Sequence, residues 1–143
     1  MQLFLRYLAF WFRSGNAHSI HSPFVFNLYT RVIRPATHQP VFDPIEKIRA
    51  GLLTSTEEMD TVDFGAGSRV SRSPRRRVRD VAHYAQKDAR TGQLLFRLVS
   101  HFAPQTIFDL GTSLGVTTLY LAAPNPRAAL YTFEGCPQTL AIA

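Results

Sequence analysis

Apolar residues dominate the start of the chain, where Arg6 and Arg13 are the only charges in residues 2–13. Such a segment reads as a helix that is apolar around most of its circumference, and helices of that kind are normally packed against something. Gly15-Asn16 stops it. Ser22-Pro23 then opens a second helix, with serine as the cap and proline at the first helical position, which runs to Ile33 before Arg34-Pro35 ends it. Pro44 opens a third helix through Glu46 and Arg49 to Leu53. Residues 54–74 are polar, rich in glycine and serine and weakly periodic, which predicts a long loop. Beyond it, Val78, Val81, Ala82 and Ala85 share one face of a helix over residues 75–86. Gly92 reads as a break, after which Leu94, Leu95, Leu98, Val99 and Phe102 recur at helical spacing until Pro104.

The period then changes. Thr106-Ile107-Phe108-Asp109-Leu110 is a β-rich run, Gly111 to Gly115 a glycine-bearing turn, Val116 to Ala123 an apolar helix, and Ala129-Leu130-Tyr131-Thr132-Phe133 a second strand. Pro137 starts another helix. Strand, turn, helix and strand within about 30 residues make a βαβ unit, which implies a parallel sheet. The fold class expected is therefore α/β and Rossmann-like. A helical and loop extension covers residues 1–90, and the start of a cofactor-binding domain covers residues 91–143. The chain stops in the helix after the second strand, so it reads as part of a longer protein, inactive by itself.

Composition sharpens this picture in three ways. At 45% hydrophobic residues and a mean hydropathy of −0.06, the 143-residue chain can build a core. The net charge of +6 is concentrated in Arg69, Arg72, Arg75, Arg76, Arg77 and Arg79, so it describes one segment and not the whole surface. That run is a candidate nucleic-acid contact. No aromatic residues interleave with it as a stacking platform, so a solvated loop is the simpler reading. The single cysteine, Cys136, excludes an internal disulfide and points to a reducing, cytoplasmic compartment. Arg6 and Arg13 interrupt the apolar N-terminus, which fits neither a signal peptide nor a membrane span. The aromatic N-terminal helices are expected to pack as core or as a homodimer interface, and no membrane partner is expected.

The candidate chemistry lies in Asp109-Leu110-Gly111-Thr112-Ser113-Leu114-Gly115. Glycines let backbone approach a ligand, and the helix after the turn offers unpaired N–H groups. Glu134 stands nineteen residues beyond Gly115 at the end of the second strand, where a carboxylate can accept hydrogen bonds from both ribose hydroxyls. A dinucleotide fingerprint needs glycine where Ser113 stands, and a pyrophosphate needs that tight glycine, so an NAD(P)-dependent oxidoreductase is the alternative reading. S-adenosylmethionine has no pyrophosphate, and Asp109 can face its cationic amino-acid portion.

These residues resemble a known family. Phe108-Asp109-Leu110-Gly111-Thr112-Ser113-Leu114-Gly115-Val116-Thr117-Thr118 is similar to motif I of class I methyltransferases, in the catechol and caffeoyl-CoA O-methyltransferase branch. Thr132-Phe133-Glu134-Gly135-Cys136-Pro137 resembles motif II, and Gly92-Gln93-Leu94-Leu95 resembles the helix before motif I. Residues 1–90, including His18-Ser19-Ile20-His21-Ser22-Pro23 and Asp63-Phe64-Gly65-Ala66-Gly67-Ser68, resemble the extension of a bacterial group of uncharacterised methyltransferases. The resemblance implies S-adenosylmethionine as cofactor and a small-molecule methyl acceptor. It places Asp109, Gly111 and Gly115 around the methionine part, Thr112 and Ser113 along the turn, and Glu134 at the ribose. It names no catalytic residue in this stretch. The Asp63–Ser68 glycine turn is expected to be a loop folding over the site. His18 and His21 lack the companions of a metal site and are expected to cap or pack.

Overall fold

A computed structural model describes residues 2–15, 19–62 and 73–143. The chain divides into two compact units, residues 1–35 and residues 36–143. Residue 90, where the sequence pattern divides the chain, falls inside the second unit.

The first unit holds α1 (Gln2–Arg13), α2 (Pro23–Leu28) and a π-helical turn (Tyr29–Ile33). Ser22 caps α2 by accepting from the Val25 N–H, with Pro23 at the first position, as its sequence predicts. The second half of that helix widens into the π turn, so the helix to Ile33 is continuous but not uniformly α. No residue of α1 or α2 is buried.

The second unit begins with α3 (Phe42–Thr54), followed by β1 (Glu58–Asp60), β2 (Arg75–Arg77), α4 (Val78–Ala85) and α5 (Ala89–Phe102). Then come β3 (Thr106–Leu110), α6 (Val116–Ala122), β4 (Ala129–Phe133) and α7 (Pro137–Ile142). β3 and β4 run parallel in register from Thr106↔Ala129 to Leu110↔Phe133, as the βαβ pattern requires. Three expectations are corrected. The loop expected over residues 54–74 contains β1, which pairs antiparallel with β2. The helix expected from Arg75 starts at Val78, because Arg75–Arg77 is that partner strand. Gly92 is no break: α5 starts at Ala89, with Asp88 accepting from the Thr91 N–H as its cap. Glycine stands there because an added Cβ would overlap the Tyr120 ring.

Two apolar clusters fix the turn between β3 and α6. In one, Phe42 and Ile45 of α3 pack on Val116 and Tyr120 of α6, with Phe96 edge-on to Phe42 at 5.0 Å. Burying a phenylalanine such as Phe42 contributes about 1.5–3 kcal/mol. In the other, Leu114 of the turn itself packs with Met59, Val78 and Ala82. Leu52 touches both clusters. The turn is thus held at its far end by α3 and α4, and at its near end by the sheet.

Candidate functional site

β3 delivers Asp109 to the turn, and three left-handed residues give the turn its shape: Gly111 at φ 106°, Ser113 at φ 50° and Gly115 at φ 79°. A side chain at Gly111 would meet open space, so its backbone conformation alone demands glycine. The folded-back turn is tied to the end of β4. The N–H groups of Gly111 and Thr112 both donate to the Phe133 carbonyl, at 2.8 and 3.0 Å.

Glu134 comes next in the chain. One carboxylate oxygen accepts from the Ser113 N–H at 2.8 Å, the other from the Cys136 N–H at 3.0 Å. A carboxylate has about four lone-pair positions, so two remain for hydroxyl donors. Behind the turn a hydroxyl network joins the strands. Thr118 and Thr132 both donate to Asp109 Oδ2, and the Thr112 and Thr132 hydroxyls share a hydrogen bond. Asp109 is therefore partly engaged in holding β3, β4 and α6 together.

Asp109, Gly111, Thr112 and Ser113 line one cavity of about 320 Å³, with Gln86, Lys87 and Thr91 opposite. Glu134 lies in a second cavity of about 310 Å³, with Thr61, Val62, Arg76, Cys136 and Thr139. Ser113 borders both, while Gly115 lines neither and acts on the site through the path of the backbone. The structure thus brings the six sequence-derived residues onto one turn and its neighbouring strand end.

Four contributors were not among the candidate site residues: Thr118, Thr132 and Cys136, which stand inside the two motif-like runs, and Gln86, which carries no recognisable spacing. Gln86 is the most informative. It lines the first cavity, and its amide nitrogen and oxygen are shielded from solvent with no hydrogen-bond partner among the described residues. Leaving such a group unsatisfied costs about 1–3 kcal/mol, which a polar ligand in the cavity would offset. The two free lone-pair positions of the Glu134 carboxylate suit the paired hydroxyls of a ribose, the group that S-adenosylmethionine would present there. Cys136 is buried, which raises its thiol pKa. Hydrogen bonds from Thr139 and from the N–H groups of Val62, Thr139 and Gln138 outweigh that and leave it below the ordinary value.

The arginine run is corrected in part. Arg75 and Arg77 both reach Glu58, at 2.8 and 3.8 Å, and Arg76 Nε donates to the Ser73 carbonyl, so these three belong to a paired strand and not to a solvated loop. Arg69, Arg72, His18 and the Asp63–Ser68 turn lie outside the described residues. His21 is exposed. Among the described residues no group of three His, Cys, Asp or Glu side chains could hold a metal ion, and no helix is long and apolar enough to cross a membrane.

Known proteins share part of this chain. A stretch of 53 residues, 36% of it, is 45% identical to the proteins named transmembrane O-methyltransferase of Homo sapiens, Pan troglodytes and Propithecus coquereli. The match covers 18% or 19% of those relatives, so the chain spans about a fifth of their length. No family model and no solved structure matches the chain. The likeness supports a protein of methyltransferase kind, on a mixed α/β chain with a two-stranded parallel sheet.

Proposed function

We propose that this chain carries the cofactor-binding part of an S-adenosylmethionine-dependent methyltransferase with a Rossmann-like fold, acting on a small-molecule acceptor in the cytoplasm. The observation that carries this reading is the Glu134 carboxylate held across the Gly111–Gly115 turn by the Ser113 N–H, with Gln86 lining the adjoining cavity. The bound cofactor supplies an electrophilic methyl group. The chain's own part is positional: Glu134 receives the ribose hydroxyls, Gln86 the amino acid, and the left-handed turn keeps Cβ atoms out of the way. Rate enhancement in such a reaction comes largely from holding donor and acceptor in line.

Titration calorimetry with S-adenosylhomocysteine tests it. Binding is expected for the wild-type chain. Glu134→Ala is expected to weaken it about tenfold to a hundredfold, since it removes a charged acceptor from two hydroxyls. A folded chain that takes up no S-adenosylhomocysteine, or binds NAD instead, would sink the reading. NAD binding would favour the oxidoreductase alternative, against which Ser113 stands.

A further inference from the structure

Within residues 1–35, helix α1 is left bare. Leu3, Phe4, Phe10, Trp11 and Phe12 are all more than half exposed, and no residue of the helix is buried. The sequence pattern anticipates a packed helix here, so the exposure needs another account. Its residues are sharply sorted. Gln2, Arg6, Ala9 and Arg13 follow the i, i+4, i+7, i+11 spacing and share one narrow stripe, while every other position is Leu, Phe, Tyr or Trp. At about 1.5 Å per residue its 12 residues reach roughly 18 Å, well short of a bilayer core of roughly 30 Å. A helix with one basic stripe and a broad aromatic face has the sorting of helices that lie in a membrane interface.

Charge selects the occupant. Residues 1–35 contain Arg6, Arg13, Arg31 and Arg34, and no Lys, Asp or Glu. Residues 1–35 of a second copy would therefore offer these arginines no carboxylate to pair with. A bilayer of acidic lipids offers both an apolar boundary for the aromatic face and phosphates for the arginine stripe. We propose that α1 is an interfacial anchor lying in the plane of an anionic lipid surface, with Phe4 and Trp11 in the acyl boundary and Arg6 and Arg13 at the headgroups. This departs from the expectation that no membrane takes part, and it is independent of the cofactor reading.

Trp11 is the chain's single tryptophan, so its fluorescence reports on α1 alone. The 143-residue chain is titrated with vesicles of phosphatidylcholine, alone or mixed with phosphatidylglycerol, and co-sedimentation is measured in parallel. A blue shift and co-sedimentation are expected with the mixed vesicles, weakened by salt. Arg6→Gln with Arg13→Gln is expected to cut partitioning about thirtyfold, from the usual strength of basic side chains at such a surface. Phe4→Ser with Phe10→Ser, which keeps the reporter, is expected to abolish the shift. Absence of binding to mixed vesicles overturns the proposal. So does equal binding to neutral ones, or a blue shift that grows with protein concentration without lipid and assigns the face to a second copy.

Discussion

Gln86 is where the proposed cofactor reading is most open to test. It ends α4 with both amide atoms buried and unpaired, beside Asp109 and the turn. Its contribution separates cleanly from that of Glu134 if two ligands are compared. S-adenosylhomocysteine carries the amino acid, and methylthioadenosine carries the same nucleoside without it. Gln86→Ala is expected to weaken the first by about tenfold, the worth of one or two hydrogen bonds, and to leave the second unchanged. An equal loss for both would mean that Gln86 shapes the cavity and reads no amino acid. Asp109 is the opposite case. The resemblance implies a ligand contact for it, yet Thr118 and Thr132 occupy one of its oxygens, so it also fastens the strands.

At the scale of elements, the turn from Gly111 to Gly115 acts as one piece, and its two kinds of left-handed residue answer differently to change. Gly111→Ala puts a Cβ at φ 106° with nothing nearby to clash, so the expected loss of about 1–2 kcal/mol is backbone strain alone. Ser113→Gly relaxes a residue already at φ 50° and is expected to stay within about 0.5 kcal/mol of wild type, the freed strain offsetting the looser unfolded chain. Urea denaturation of the two variants decides it, and equal losses would mean that the turn is not set by backbone preference. This element was legible in the sequence: Asp109, Gly111, Gly115 and Glu134 stand at readable spacings, and β3, α6, β4 and α7 fall where the apolar period changes. What was not legible depends on contacts distant in sequence. β1 and β2 are three residues each, too short for any alternation, and exist through pairing with each other. Gly92 reads as a breaker until the Tyr120 ring is found against it.

For the molecule as a whole, one side-chain pair joins remote parts. The Tyr120 hydroxyl on α6 donates to Glu46 on α3 at 2.7 Å. Burial, and then the Glu46 carboxylate, raise the Tyr120 pKa above its ordinary value of 10.0. A group whose folded pKa is raised contributes fully below its unfolded pKa and loses that contribution as pH climbs. Tyr120→Phe is therefore expected to cost about 1 kcal/mol at pH 7 and progressively less above about pH 10. Thermal melts at paired pH values test this, and a constant difference across that window would refute it. The parallel sheet presents another whole-molecule feature: Phe108, Leu110, Tyr131 and Phe133 form one exposed face, with Phe108 stacked on Tyr131 at 5.5 Å. Parallel sheets are ordinarily covered on both faces, so this is the side to watch for self-association. The bonds that tie the turn to β4 have a kinetic meaning as well. Thr112 to Thr132, Ser113 to Glu134 and Asp109 to Thr132 join residues 20, 21 and 23 positions apart, whereas Tyr120 to Glu46 and Val62 to Cys136 each span 74. Short loops close at lower entropic cost and sooner. A refolding chain should close the turn between β3 and β4 first and dock α3 upon it afterwards.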